Sequence, residues 1–92
     1  MSTAILIRVT PENYDLWLEA HNSCQTARLD YGITDGPVYR DAAEPGSVLV
    51  HLDVQEITRA MEWFKSQAFK EGVARAGKVK REIWIADHKM TA

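Results

Sequence analysis

The stretch Ser47-Val48-Leu49-Val50-His51-Leu52-Asp53-Val54 decides the fold. It is rich in β-branched residues, and side chains alternate across a strand, so Val48, Val50, Leu52 and Val54 share one face. Leu49, His51 and Asp53 share the other. Just upstream, Ala42-Ala43-Glu44-Pro45-Gly46 is a turn signal. Before it, the segment Ile33 to Asp41 holds a Gly36-Pro37 break followed by Val38-Tyr39-Arg40, which reads as a short second strand. The two strands and their turn predict a hairpin at the centre of the chain.

Working outward, Thr3 to Val9 is a second β-branched run and predicts an opening strand. Thr10-Pro11 reads as an N-cap followed by proline at the first helical position. Tyr14, Trp17, Leu18, His21 and then Cys24 or Gln25 recur at helical spacing. That helix is expected to run to about Leu29, with Gly32 as its stop. On the other side of the hairpin, Asp53 and Glu56 resemble a capping box, and Ile57, Ala60, Met61 and Phe64 form a helical stripe. Ser66 reads as a restart, with Phe69, Val73 and Ala76 continuing to Gly77. Lys80 to Asp87 closes the order as a fourth strand, and the tail at 88–92 is expected to be loose.

The order β-α-β-β-α-β, with right-handed crossovers, predicts an α+β ferredoxin-like domain spanning 1–92. Its four-stranded antiparallel sheet would carry helices on one face. Three strands are largely apolar on both sides: Ile5, Ile7 and Val9 oppose Ala4, Leu6 and Arg8, and Ile83 and Ile85 oppose Trp84 and Ala86. An antiparallel sheet with one face in water should alternate cleanly instead. The uncovered face would be an apolar patch of a size that soluble monomers rarely expose, and an identical sheet packed against it removes the patch. A homodimer through the sheet face is therefore expected.

The chain of 92 residues is of single-domain length and thin in core, which also favours a partner subunit. Apolar residues make up 46% and charged residues 26%, an ordinary globular composition that argues against disorder. The formal net charge is −2 and the basic residues are scattered, so no nucleic-acid partner is expected. No apolar run is longer than Ala4 to Ile7, which is far too short to span a bilayer, so no membrane partner is expected either. One cysteine, Cys24, and no leader signal point to a reducing, cytoplasmic setting.

Taken together, the short first strand, the Trp-bearing first helix and three segments resemble the dimeric α+β barrel superfamily, in particular its antibiotic-biosynthesis-monooxygenase-like proteins. The segments are Tyr31 to Asp41, Pro45 to Val54, and Trp63-Phe64-Lys65-Ser66 with Phe69. The resemblance covers nearly the whole chain. It implies two sheets pairing into a dimeric α+β barrel. It also implies a small enzyme that oxygenates a hydrophobic, aromatic or polyketide-like molecule without metal or flavin, or an isomerase or cyclase of the same superfamily. The haem-degrading branch uses an Asn on the first strand and a Trp followed by a His. Trp63 fits, but the first strand has no Asn and no His follows Trp63 before His88.

Candidate chemistry rests on few residues. His21 lies on the apolar stripe of the first helix and could act as a general base, or could be a partly buried structural histidine. His51 could approach it if its strand face meets the helices, or lie in the subunit interface if it does not. Arg40, with Tyr31 and Asp35 beside the Gly36-Pro37 break, could hold a carbonyl or carboxylate, or be a solvated hairpin residue. His21 and Cys24 lie one turn apart and His51 could be a third ligand, but no recognised zinc spacing is present and no metal is expected. Trp17, Trp63, Phe64, Phe69 and Trp84 are core residues or the walls of a cavity. Tyr14, Cys24 and Met61 share their stripes and join the candidates for substrate contact. Lys65, Lys70, Arg75, Lys78, Lys80 and Arg81 read as a solvated face. A non-catalytic dimeric module that binds a ligand fits the same residues, because no nucleophile–base pair or phosphate loop demands catalysis.

Overall fold

Strand β1 (Thr3–Pro11) lies inside a four-stranded sheet of order β2-β3-β1-β4, all pairs antiparallel, in a computed structural model that describes residues 3–87. The full element order is β1, α1 (Tyr14–Ser23), α2 (Gln25–Asp30), β2 (Ile33–Arg40), β3 (Val48–Val54), α3 (Ile57–Trp63), α4 (Gln67–Ala76) and β4 (Val79–Ala86). This is the ferredoxin-like arrangement expected of β-α-β-β-α-β with each helical segment doubled. The tail expected to be loose lies outside the described residues.

Three local expectations are corrected. Thr10 and Pro11 do not start a helix: they extend β1, pairing with Lys80 and Val79. Pro11 lies past the last β1–β3 pair, Val9 with Val48, so no neighbour on that side calls for the N–H it lacks. The helix is capped instead by Asn13, whose Oδ1 accepts the Leu16 N–H at 3.0 Å. The expected single helix to Leu29 breaks at Cys24, where ψ is 3°. The Ser23 hydroxyl donates to the Ala20 carbonyl at 2.8 Å, a back-bond of the kind that bends helices. Strand β2 is longer than the expected Val38–Arg40, because a register shift between Asp35 and Val38 absorbs the Gly36-Pro37 break. A Cβ on Gly36 would stand 2.7 Å from the His51 carbonyl oxygen, so only glycine lets β2 pass that close to β3.

A fourth correction concerns the Asp53–Glu56 capping box, which does not form because Asp53 stays in β3 and Glu56 is itself the N-cap. The signals at Ser66 and Gly77 hold. Glu56 caps α3 directly, its carboxylate accepting the Thr58 and Arg59 N–H groups at 3.0 and 2.8 Å, and these bonds draw its pKa down. Ser66 Oγ accepts the Phe69 N–H at 3.1 Å at the start of α4, and Gly77 closes that helix at φ 75°.

All the helices lie on one side. Val48, Val50, Leu52 and Val54 pack with Ile5 and Val9 against Trp17, Ala60, Trp63 and Ala76. Each such side chain contributes about 1.5–3 kcal/mol on burial, Ala less. The molecule measures 35 × 33 × 16 Å, so the short dimension has room for one sheet and one helix layer. The opposite face of the sheet carries Leu6, Tyr39, Leu49, His51 and Trp84, with Leu6 39% and Trp84 49% exposed. On β4 even the helix-side residues Ile83 and Ile85 are exposed, so the helix layer stops short of this edge strand.

Candidate functional site

Between α1 and α4 and over the β1–β3 centre of the sheet lies a cavity of about 70 Å³. Its floor includes Ile7, Val50 and Leu52, and its aromatic wall is Trp17, Trp63, Phe64 and Phe69. Trp63 and Phe64 each meet Phe69 edge-on, at centroid distances of 5.6 and 5.2 Å, which fixes that wall. His21 stacks on Trp17 one turn earlier, centroids 5.1 Å apart, and borders the same space.

Arg28 forms the polar end of the cavity. It is 3% exposed on α2, and its Nε and Nη2 donate to the two Asp35 carboxylate oxygens at 2.7 and 2.8 Å. Nη2 also donates to the His21 carbonyl at 2.6 Å. Burial, helped by the Arg28 charge and opposed by Asp35, pulls His21 down from 6.5 to about 4. Its imidazole is therefore neutral at physiological pH, with one nitrogen free to accept a proton or hydrogen bond.

Of the residues expected at a site, His21, Trp17, Cys24, Trp63, Phe64 and Phe69 come together here. His51 does not. Cross-strand partners share a face, so pairing with the exposed Leu6 places half-buried His51 on the far side of the sheet from His21. There its Nε2 lies 3.1 Å from Asp53 Oδ1. The possible meeting of His21 and His51 in one pocket is thus ruled out by strand alternation, and with it a metal shared by those two and Cys24. Among the described residues no three His, Cys, Asp or Glu side chains cluster closely enough to hold a metal. Arg40 is exposed at the end of β2 and does not border the cavity. Trp84 lies on the open face, Tyr14 is exposed, and Tyr31 and Met61 are half-buried outside the lining, Tyr31 against Trp63.

Both charged lining residues were missed. Arg28 continues the helical series Trp17, His21, Cys24, so periodicity could have found it. Arg81 is cross-strand from Val9 and in phase with Ile83, which puts it on the helix side of β4 and at the cavity rather than on a solvated face.

No protein-family model matches this chain, and no curated protein does. Solved structures do. A Mycobacterium tuberculosis protein superposes over 100% of both chains at TM-score 0.69 and 14% identity. A provisionally assigned antibiotic biosynthesis monooxygenase from Nitrosomonas europaea matches 94% of this chain and 89% of its own at TM-score 0.65 and 11% identity. A Bacteroides thetaiotaomicron protein of unknown function, suggested to be an oxidoreductase, matches 91% and 96% at 0.64 and 12%. At such identities the likeness speaks for fold. The chain shares its fold, a ferredoxin-like four-stranded sheet with helices on one face, with these three proteins, one of them the Nitrosomonas protein provisionally assigned as an antibiotic biosynthesis monooxygenase.

Proposed function

We propose that this protein is a small oxygenase that uses His21 as a base on an aromatic or polyketide-like molecule bound in the helix-side cavity. The observation that carries the reading is a neutral imidazole stacked on Trp17 beside the aromatic wall of the pocket, which no carboxylate lines among the described residues. His21 removes a proton from an acidic CH₂ group of the substrate. The carbanion gives its electrons to O₂ and forms a C–O bond, and the resulting peroxide takes up the proton. Loss of water then leaves a carbonyl, so that CH₂ plus O₂ becomes C=O plus H₂O. The carbon is oxidised and O₂ reduced, with the substrate supplying every electron. Neither His51 nor Arg40 borders the cavity, so neither has a part in this step.

We take the working unit to be a homodimer closed over the open sheet face. Among the described residues no helix is long and apolar enough to cross a membrane.

Anthrone, whose CH₂ is flanked by two rings, is the first substrate to try, in an oxygen electrode with labelled O₂. The expected result is O₂ uptake matching anthraquinone formed, with one labelled oxygen in the new carbonyl. His21→Ala should lower the rate by about 10²–10⁴, the usual contribution of a positioned base. Turnover without O₂ uptake would favour an isomerase or cyclase. The low basicity of His21 favours a second reading, a binding module without turnover, and a rate no faster than buffer across a series of acidic aromatic CH₂ compounds would select it.

A further inference from the structure

The charges around the cavity do not cancel. Arg28 is matched by Asp35, and among the described residues no Asp or Glu lines the space. Arg81 also lines it, yet no described side chain gives its guanidinium a hydrogen bond or an ion pair. It is partly desolvated, which lowers its pKa, and no neighbouring carboxylate acts against that shift. The cavity therefore carries one uncompensated guanidinium at its β4 side. At the opposite end Arg28 uses Nε and Nη2 on the protein and leaves its two Nη1 hydrogens without a protein acceptor among the described residues. A half-buried charge without a partner is unfavourable unless something matches it. A guanidinium fork matches a planar carboxylate through two parallel hydrogen bonds.

We propose that the ligand of this cavity is an aromatic or otherwise flat apolar molecule bearing one carboxylate, which Arg81 binds, with Arg28 Nη1 at the other end left to donate to a second, uncharged oxygen of the ligand. This rests on the cavity being the ligand site described above and names the ligand class. The aromatic wall takes the ring, and Arg81 orients it by its charged end. His21, being neutral, neither attracts nor competes for the anion.

Benzoate and benzamide have nearly the same shape and differ in charge, so the pair isolates the carboxylate. Each is titrated into ¹⁵N-labelled protein while the indole N–H signals of Trp17 and Trp63 and the arginine Nε–H signals are followed. Benzoate is expected to bind at least about tenfold more tightly than benzamide. Arg81→Gln should bring the two within about twofold while leaving benzamide unchanged, and Arg81→Lys should keep part of the preference. Equal binding of the two probes to the wild-type protein overturns the carboxylate assignment but leaves the cavity, and the oxygenase reading, standing. A preference that survives Arg81→Gln overturns the role of Arg81. Failure of both probes to shift any cavity signal overturns the carboxylate assignment together with the cavity as a ligand site.

Discussion

Arg28 and His21 show how much one buried charge can set. Moving a guanidinium out of water costs several kcal/mol, and a bidentate partner with further hydrogen bonds offsets much of that. Asp35 supplies the partner, and the His21 carbonyl takes a further hydrogen. The same cation makes a second positive charge nearby unfavourable, which adds to burial in keeping the His21 ring neutral down to about pH 4. In the unfolded chain that ring protonates near 6.5. Between these values the unfolded chain binds a proton that the folded one does not, so falling pH favours unfolding. The His21 contribution is complete above pH 6.5 and is lost as pH falls through 4. Its ceiling is roughly 3 kcal/mol at 1.36 kcal/mol per pKa unit, trimmed because water reaches part of the ring and screens it. Urea titrations of wild type and His21→Gln at pH 7, 5.5 and 4 isolate this effect, because carboxylates titrate alike in both. The stability advantage of the wild type should shrink steadily with falling pH. An advantage independent of pH would show that the folded ring is not shielded from protonation.

Between elements, the α1–α2 junction at Cys24 packs tightly on α4 at the cavity. A Cβ on Gly72 would lie 2.8 Å from Cys24 Sγ, a separation that real Cβ atoms do not adopt. Gly72→Ala gains about 0.5–1 kcal/mol from helix propensity. Overpacking a buried contact costs about 1–3 kcal/mol. The overpacking cost is the larger over most of its range, so Gly72→Ala should be destabilising by about 1 kcal/mol in chemical denaturation, within a span of roughly 0–2.5 kcal/mol. Cys24→Ala removes the obstructing sulfur, and the double variant should be more stable than the sum of the single changes requires. Strict additivity would mean that the helices are not held apart at this point. Neither partner announces this contact in sequence, because a glycine inside a helix does not reveal what approaches it. Local signals were legible where one side chain meets its own backbone: Ser66 at the start of α4 and Gly77 at its end both act as expected. They misled where a distant strand decides, since Thr10-Pro11 fits a helix start until β4 pairs with it. The extension of β2 through Gly36-Pro37 was hidden for the same reason, being set by the approach of β3.

At the scale of the whole molecule, strand alternation made the sheet legible but not which of its sides the helices cover. That choice separates His21 from His51, and it explains why the sequence could list both without saying whether they meet. The aromatic wall was legible because Trp63, Phe64 and Phe69 are bulky whichever face they take. Arg81 was not, because its charge reads as solvated unless it is counted in phase with Ile83 and Ile85. The uncovered face also supports the proposed dimer. Leu6, Tyr39, Leu49 and Trp84 are all exposed there, and together with Arg8 and His51 they border a groove of about 310 Å³. Such a surface is poorly suited to water, and a second copy offers the same surface in a closed two-fold arrangement. Leu49 lies on β3, cross-strand from both Arg8 on β1 and Tyr39 on β2, so a charge placed there would be buried by any sheet-to-sheet pairing. Leu49→Arg should therefore turn a dimer into a monomer in sedimentation equilibrium with an unchanged far-ultraviolet circular dichroism spectrum. Lys70→Glu, on the exposed side of α4, should leave the mass alone. A wild-type monomer would remove the need for a partner and leave the apolar face unexplained. A dimer that survives Leu49→Arg would move the contact to β4, whose Ile83 and Ile85 are the remaining exposed aliphatic pair on the sheet.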